Sequence, residues 1–224
     1  MSDFGIIGIG RIGTSMARNM SSKGIIVSLY DKSHNSLDNL KNDYPELKSS
    51  LVYDDINKFV SSISKPRKVL VLVPSGPALD EVISLLIQYL DSNDILIDGG
   101  NTNPNVSFEN HQTIKSKNLL YLGMGVSGGV KGVLEGPSIM IGGDTNAFDQ
   151  VKNIFSQITS KTINGSKSFE FFGDSNQGHF VKMIHNGIEY VEMQLISSIY
   201  YLMINSKKYM YDCLLYTSDA ADDA

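Results

Sequence analysis

Five residues within one short stretch carry groups that do chemistry rather than merely meet water. In Gly178-His179-Phe180-Val181-Lys182-Met183-Ile184-His185-Asn186-Gly187-Ile188-Glu189-Tyr190 they are an amine, an imidazole, an amide, a carboxylate and a phenol: Lys182, His185, Asn186, Glu189 and Tyr190. At about 100° per residue all five share one helical arc of roughly 140°, while Val181, Ile184 and Ile188 lie on other faces. A lone Lys–Glu pair would suit a solvated face. Asn186-Gly187 in mid-helix, however, costs helix propensity, so the stripe is better explained as a catalytic face.

A second set of residues suits a phosphate-bearing ligand. Gly8-Ile9-Gly10-Arg11-Ile12-Gly13 follows the apolar run Phe4 to Ile7 and opens a helical stretch. The first glycine permits a tight turn, the second lets backbone approach a pyrophosphate, and the third lets helix and strand pack closely. The helix N-terminus adds amides and a positive dipole. Asp31 closes the next apolar run about 20 residues on, as the dinucleotide fingerprint requires. A carboxylate there accepts hydrogen bonds from ribose hydroxyls and repels a 2′-phosphate, which favours NAD over NADP. Lys32 beside it partly offsets that repulsion.

Two further glycine-rich stretches, Asp98-Gly99-Gly100-Asn101-Thr102 and Gly125-Val126-Ser127-Gly128-Gly129, each follow an apolar run. Both read as turns at the carboxyl ends of strands, where open α/β sheets bind ligands. Their backbone amides and the Ser127 hydroxyl suit a carboxylate.

The elements that must position these groups alternate. Strands are predicted at Phe4 to Ile7, Ile25 to Tyr30, Lys68 to Val73, Ile95 to Ile97, Leu119 to Leu122 and Ser138 to Ile141. Helical segments are predicted through Lys23 and over Asn35 to Lys41, Asp55 to Ser62, Leu79 to Leu90, Val106 to Lys117 and Phe148 to Ile158. Such alternation builds βαβ units and a mostly parallel, Rossmann-type α/β sheet. Near Asp174-Ser175-Asn176 the pattern changes to one long helix running beyond Met203, so a domain boundary falls there. Residues 1–175 form the dinucleotide-binding domain, and residues 176–212 begin a truncated all-helical domain.

The composition excludes several other classes. The chain has 224 residues, 42% hydrophobic and 19% charged, enough to bury a core. The net charge of −5 without a basic cluster argues against nucleic acid as a partner. No apolar run spans a bilayer, and Met1 to Gly10 lacks the basic start of a secretory signal. One cysteine gives no disulfide framework and points to the cytoplasm. Residues 213–224, from Cys213 to Ala224, break the preceding pattern, read like the translation of a sequencing-library adapter, and are taken as non-native.

Taken together, these motifs and Gly136-Pro137-Ser138-Ile139-Met140 resemble the decarboxylating 6-phosphogluconate dehydrogenases of the pentose phosphate pathway, over residues 1 to about 205. The His-Asn-Gly-Ile-Glu-Tyr run ending at Tyr190 separates them from sibling β-hydroxyacid dehydrogenases, which share the lysine. The resemblance implies oxidation and decarboxylation of 6-phosphogluconate to ribulose 5-phosphate, with NADP as the family norm and no metal. It implies Lys182 as general base, desolvated so that its amine is unprotonated, and Glu189 as general acid. It places Asn101, Ser127, Gly128, Gly129, His185, Asn186 and Tyr190 on the substrate. It places Gly8, Ile9, Gly10, Arg11, Ile12, Gly13, Asp31, Lys32, Val73 and Asn101 on the cofactor. The implied whole protein is a homodimer whose further helical domain carries phosphate ligands; this chain alone is expected to bind cofactor better than it turns over substrate. Val130 stands where the family has an acidic residue, and Asp31-Lys32 where it has Asn-Arg. A sibling dehydrogenase and a non-catalytic dinucleotide-binding module are the alternatives.

Overall fold

In the computed structural model, which describes residues 1–33, 37 and 40–205, the chain parts into two compact units between Met183 and Ile184. The first unit is a twisted sheet with helices on both faces. Its strands are β1 (Phe4–Ile7), β2 (Val27–Tyr30), β3 (Leu51–Tyr53), β4 (Lys68–Val71), β5 (Ile95–Asp98), β6 (Leu120–Ser127), β7 (Ser138–Gly143) and β8 (Phe169–Phe171). They lie in the order β3-β2-β1-β4-β5-β6-β7-β8. The four residues of β1 and of β5 are all buried, which is why they read as unbroken apolar runs: a parallel strand covered on both faces has no polar side.

The helices are α1 (Arg11–Ser22), α2 (Leu40–Asp43), α3 (Ile56–Ser61), α4 (Pro77–Leu86), α5 (Pro104–Lys115), α6 (Gly129–Glu135), α7 (Thr145–Ile158) and α8 (Gln177–Asn205). Two of them, α4 and α5, begin on proline, whose fixed φ and missing N–H suit a first turn. One face of the sheet packs Met16 and Met20 of α1, Val133 of α6 and Phe155 of α7 against Phe4, Ile6, Leu29 and Ile97. Phe59 of α3, Ile83 of α4 and Ile114 of α5 cover the other face, against Ile7, Val71, Leu96 and Tyr121. Asn19 locks the first layer by donating to the carbonyls of Val133 and Ile158, each at 2.9 Å.

The chain leaves β1 to one side for β2 and β3, then returns to pair β4 on the other side. That reversal opens a crevice at the carboxyl ends of β1 and β4. The sheet departs from the sequence reading at β6 and β7. These strands pair antiparallel, from Leu122 opposite Gly143 to Ser127 opposite Ser138. The ladder carries β6 through Ser127, so Gly125-Val126-Ser127 is strand and not the turn expected; the turn is confined to Gly128-Gly129. Short β3 and β8 and helix α6 were not anticipated, and β8 pairs parallel to β7.

Residues 213–224 and most of the helix expected over Asn35 to Lys41 lie outside the described residues. The second unit is described through the rest of α8, where Ile188, Val191, Leu195, Ile196 and Leu202 are all more than half exposed. Contiguous apolar surface of this kind marks a face that another surface covers. Among the described residues no helix is long and apolar enough to cross a membrane.

Candidate active site

The glycine turn between β1 and α1 is built by close approach. Gly8 has φ +90, and a Cβ there would stand 2.5 Å from the Leu72 carbonyl oxygen and 3.0 Å from Val73 Cγ1. A Cβ on Gly13 would collide with the Gly8 carbonyl, so the turn and the helix fit only without either side chain. Gly10 differs: nothing lies within 4 Å of its Cβ position, and it borders two cavities. Its lack of a side chain therefore serves whatever enters, not the fold. Gly10→Ala is expected to keep the thermal midpoint within about 2 °C while weakening dinucleotide binding by about tenfold or more. Calorimetric titration beside a melting curve checks both halves.

Asp31 is tied into this turn from the end of β2. One carboxylate oxygen accepts the Ile9 amide at 2.7 Å and the other accepts the Ser33 amide at 2.8 Å. Each oxygen keeps a further lone pair for a ribose hydroxyl. Beside it runs a cavity of about 320 Å³, bounded by Gly8, Gly10 and Asp31 and walled by Val73, Pro74, Ala78 and Val82. An apolar slot with a carboxylate at its mouth suits an adenosine. Arg11 borders the second cavity, about 400 Å³, which Gly10 also lines. Ile12 packs half-buried against the core. Lys32 lines the same slot as Asp31, ion-paired with Glu81 of α4 at 2.7 Å.

Two strand ends along, Asp98 organises the next loop. Its oxygens accept the Gly100 amide at 3.0 Å and the Thr102 hydroxyl at 2.8 Å. The Gly100 Cβ position is 3.2 Å from the Val73 carbonyl, which brings the turn carrying Asn101 beside the slot that Val73 walls. A buried chain of polar groups continues inward from Asp98 to the Tyr121 hydroxyl (3.4 Å), then to Ser107 (3.0 Å) and to His179 Nδ1 (2.8 Å). Burial pulls the His179 imidazole below its ordinary pKa, against the opposing pull of Asp98. Burial likewise pushes the Tyr121 phenol well up. Both groups are therefore neutral near pH 7 and act as hydrogen-bonding ties between the 98–102 turn and α8.

The first turns of α8 lie against a glycine track on β6 and β7. A Cβ on Gly178 would collide with the Gly123 carbonyl and stand 2.6 Å from the Gly142 amide nitrogen. A Cβ on Gly125 would strike the Lys182 side chain, whose Cγ is 2.9 Å away. Lys182 is consequently 8% exposed, pressed on the strand two residues before Ser127. Gly128 and Gly129 follow with φ +133 and +57 and open α6, and Val130 is partly exposed on its first turn. Within the first unit the glycine turn, Asp31, Val73 and the Asn101 turn thus lie around one slot, and Lys182 lies on the strand that leads into Ser127 to Gly129.

In the second unit His185 and Asn186 are half-buried neighbours, with Nδ1 3.2 Å from the amide oxygen. His185 lies 3.8 Å from the Glu189 carboxylate one turn on. Glu189 and Tyr190 are exposed. Among the described residues no cluster of histidine, cysteine and carboxylates could hold a metal ion.

Sequence reasoning missed the pairing of Glu81 with Lys32, which no local signal marks across 49 positions. It also missed the glycine track. Gly123 and Gly125, two apart in one strand, share a face, and small residues so placed indicate a close backbone approach.

A strand, a glycine turn and a helix at the switch point of a doubly wound sheet, with an acid closing the neighbouring strand, define a dinucleotide-binding domain of the Rossmann type. The profile for the NAD binding domain of 6-phosphogluconate dehydrogenase matches residues 3–166, and that for the C-terminal domain of the same enzyme matches residues 178–215. The chain belongs to the 6-phosphogluconate dehydrogenase family. It is 40% identical over 199 residues to the decarboxylating 6-phosphogluconate dehydrogenase of Staphylococcus epidermidis, covering 89% of this chain and 42% of that one. A Saccharomyces cerevisiae enzyme of the same description is 38% identical, with coverages of 90% and 41%. The chain spans less than half the length of these relatives.

Among solved structures, Plasmodium falciparum 6-phosphogluconate dehydrogenase, studied as the apo form and with NADP+ and 6-phosphogluconate, superposes with a TM-score of 0.85 at 36% identity. It covers 92% of this chain and 44% of that one. A Mycobacterium tuberculosis 3-hydroxyisobutyrate dehydrogenase shares the fold at 18% identity, with a TM-score of 0.78 and coverages of 93% and 67%.

Proposed function

We propose that this chain supplies the cofactor domain and the catalytic helix of a decarboxylating 6-phosphogluconate dehydrogenase. The intact protein would be a cytoplasmic homodimer that converts 6-phospho-D-gluconate to D-ribulose 5-phosphate and CO₂. The observation that carries the reading is the burial of Lys182 against Gly125, beside Ser127 and in the same unit as the glycine turn. The cradle fits a nicotinamide dinucleotide, because Gly10, with nothing within 4 Å of its Cβ position, opens onto both cavities, one of them lined by Asp31. Gly8, Gly10, Asp31 and Val73 would hold it, and Asp31 favours NAD. When bound, the dinucleotide supplies the hydride acceptor.

Lys182 takes the proton from the C3 hydroxyl as that carbon is oxidised. The resulting ammonium then polarises the new C3 carbonyl, which accepts the electron pair released when the bond from C2 to the carboxylate breaks and CO₂ leaves. Glu189 donates a proton to the carbon that lost the carboxylate, completing the ketose. Ser127, Gly128 and Gly129 would orient the carboxylate, His185 and Asn186 the hydroxyls, and Tyr190 the phosphate, with Asn101 between cofactor and substrate. The electron flow needs no metal.

Glu189→Gln in the intact protein distinguishes this enzyme from a sibling dehydrogenase. Loss of the acid is expected to lower ribulose 5-phosphate formation by about 10²–10⁴-fold. A sibling that only transfers hydride would keep its rate. The check is product formation and cofactor reduction followed in parallel.

A further inference from the structure

The adenosine slot contains a charge arrangement that the glycine motif does not specify. Three charged side chains bound it among the described residues: Asp31, Lys32 and Glu81. Asp31 is fixed by the Ile9 and Ser33 amides. The Lys32 ammonium, the one cation lining the slot among the described residues, is held at 2.7 Å by the Glu81 carboxylate from α4. Both partners are solvent-exposed, at 79% and 62% of their side-chain surface. The hydrogen bond that Lys32 donates to Glu81, with the carboxylate's charge, raises the Lys32 pKa, so the amine stays protonated in the neutral range.

We propose that Glu81 sets the cofactor preference of this domain: by engaging Lys32 it leaves the slot with an uncompensated negative charge and excludes a ribose 2′-phosphate. The inference rests on the dinucleotide reading above and assigns a specificity role to a residue outside the glycine motif and the β2 end. A 2′-phosphate brings nearly two negative charges beside Asp31 and Glu81. It gains an ammonium only by displacing Glu81. A 2′-hydroxyl asks for nothing but an acceptor, which Asp31 provides. Water screens the pair because it is exposed, so the effect is moderate and salt-dependent.

The test is calorimetric titration of the 224-residue chain with NAD+ and with NADP+, at about 0.05 M and about 0.5 M salt. The wild type is expected to bind NAD+ more tightly. Glu81→Gln is expected to move the ratio of the two dissociation constants about fivefold toward NADP+ at low salt, and by less at high salt. Adding Lys32→Met to Glu81→Gln should cancel the gain. An unmoved ratio in Glu81→Gln overturns the proposal, and so does equal tightening of both dinucleotides, which reports only general repulsion of the pyrophosphate. If the wild type binds neither dinucleotide, the cofactor reading fails and the proposal with it. If it binds NAD+ and the ratio does not move, the proposal alone fails. Both substituted side chains are on the surface, and matching circular dichroism spectra establish that the variants fold.

Discussion

Lys182→Met in the intact protein is expected to lower kcat for 6-phosphogluconate oxidation by about 10²–10⁴-fold, a barrier increase of about 3–5 kcal/mol. Methionine keeps the unbranched stem that lies on Gly125 and removes only the amine, so the packing of α8 on β6 survives. The dissociation constant for the dinucleotide should stay within about twofold, because the glycine turn and Asp31 are untouched. The two quantities separate the roles of Lys182 as base and as packing element. A parallel loss of cofactor affinity would mean that the lysine supports the fold of the slot. Steady-state kinetics and cofactor titration on the same preparation give both.

The second large effect concerns stability. Gly178→Ala places a methyl group against three backbone atoms: the Gly123 carbonyl, the Gly142 amide nitrogen at 2.6 Å and the Met140 carbonyl at 2.7 Å. Backbone in the middle of a paired ladder cannot swing aside as a side chain does, so the N-terminus of α8 must lift. The expected loss is about 3 kcal/mol, or about 6–12 °C in thermal midpoint for a domain of this size. Lifting α8 would also stretch the 2.8 Å contact between His179 and Ser107 and move Lys182 off Gly125. Thermal unfolding of the variant chain measures the effect. A midpoint within about 2 °C of wild type would show that α8 does not rest on the glycine track.

Those two residues illustrate what could be read before the structure and what could not. The fingerprint Gly8-x-Gly10-x-x-Gly13 followed by Asp31 was legible because each requirement is local: a turn, an amide array, a neighbouring strand end. Lys182 to Tyr190 were legible as a stripe because a helix has a fixed period. The strand running through Gly125 was not, since glycines lower the apparent strand propensity of Leu120 to Ser127 and imitate a loop. Its antiparallel pairing with β7 depends on a partner that local pattern does not reveal. Strands β3 and β8, three residues each, are too short to show an alternation.

The roles of Gly123 and Gly142 depend on a helix arriving from 35 or more residues away. The pairing of Lys32 with Glu81 is likewise set by how α4 sits against β2, and charge at those two positions alone does not announce it. The tie from Asp98 through Tyr121 and Ser107 to His179 belongs to the same class. Each member reads as an ordinary core polar residue until the sheet stacks them.

On the proposed function, this chain is the cofactor half of an enzyme coupling oxidation at C3 to loss of the adjacent carboxylate. The most direct measurement follows the intact protein with 6-phosphogluconate labelled at the carboxyl carbon, counting released CO₂ against reduced dinucleotide. The predicted result is one labelled CO₂ per dinucleotide reduced, with ribulose 5-phosphate as the remaining product. Reduced dinucleotide accumulating without labelled CO₂, or no reduction at all, would contradict it.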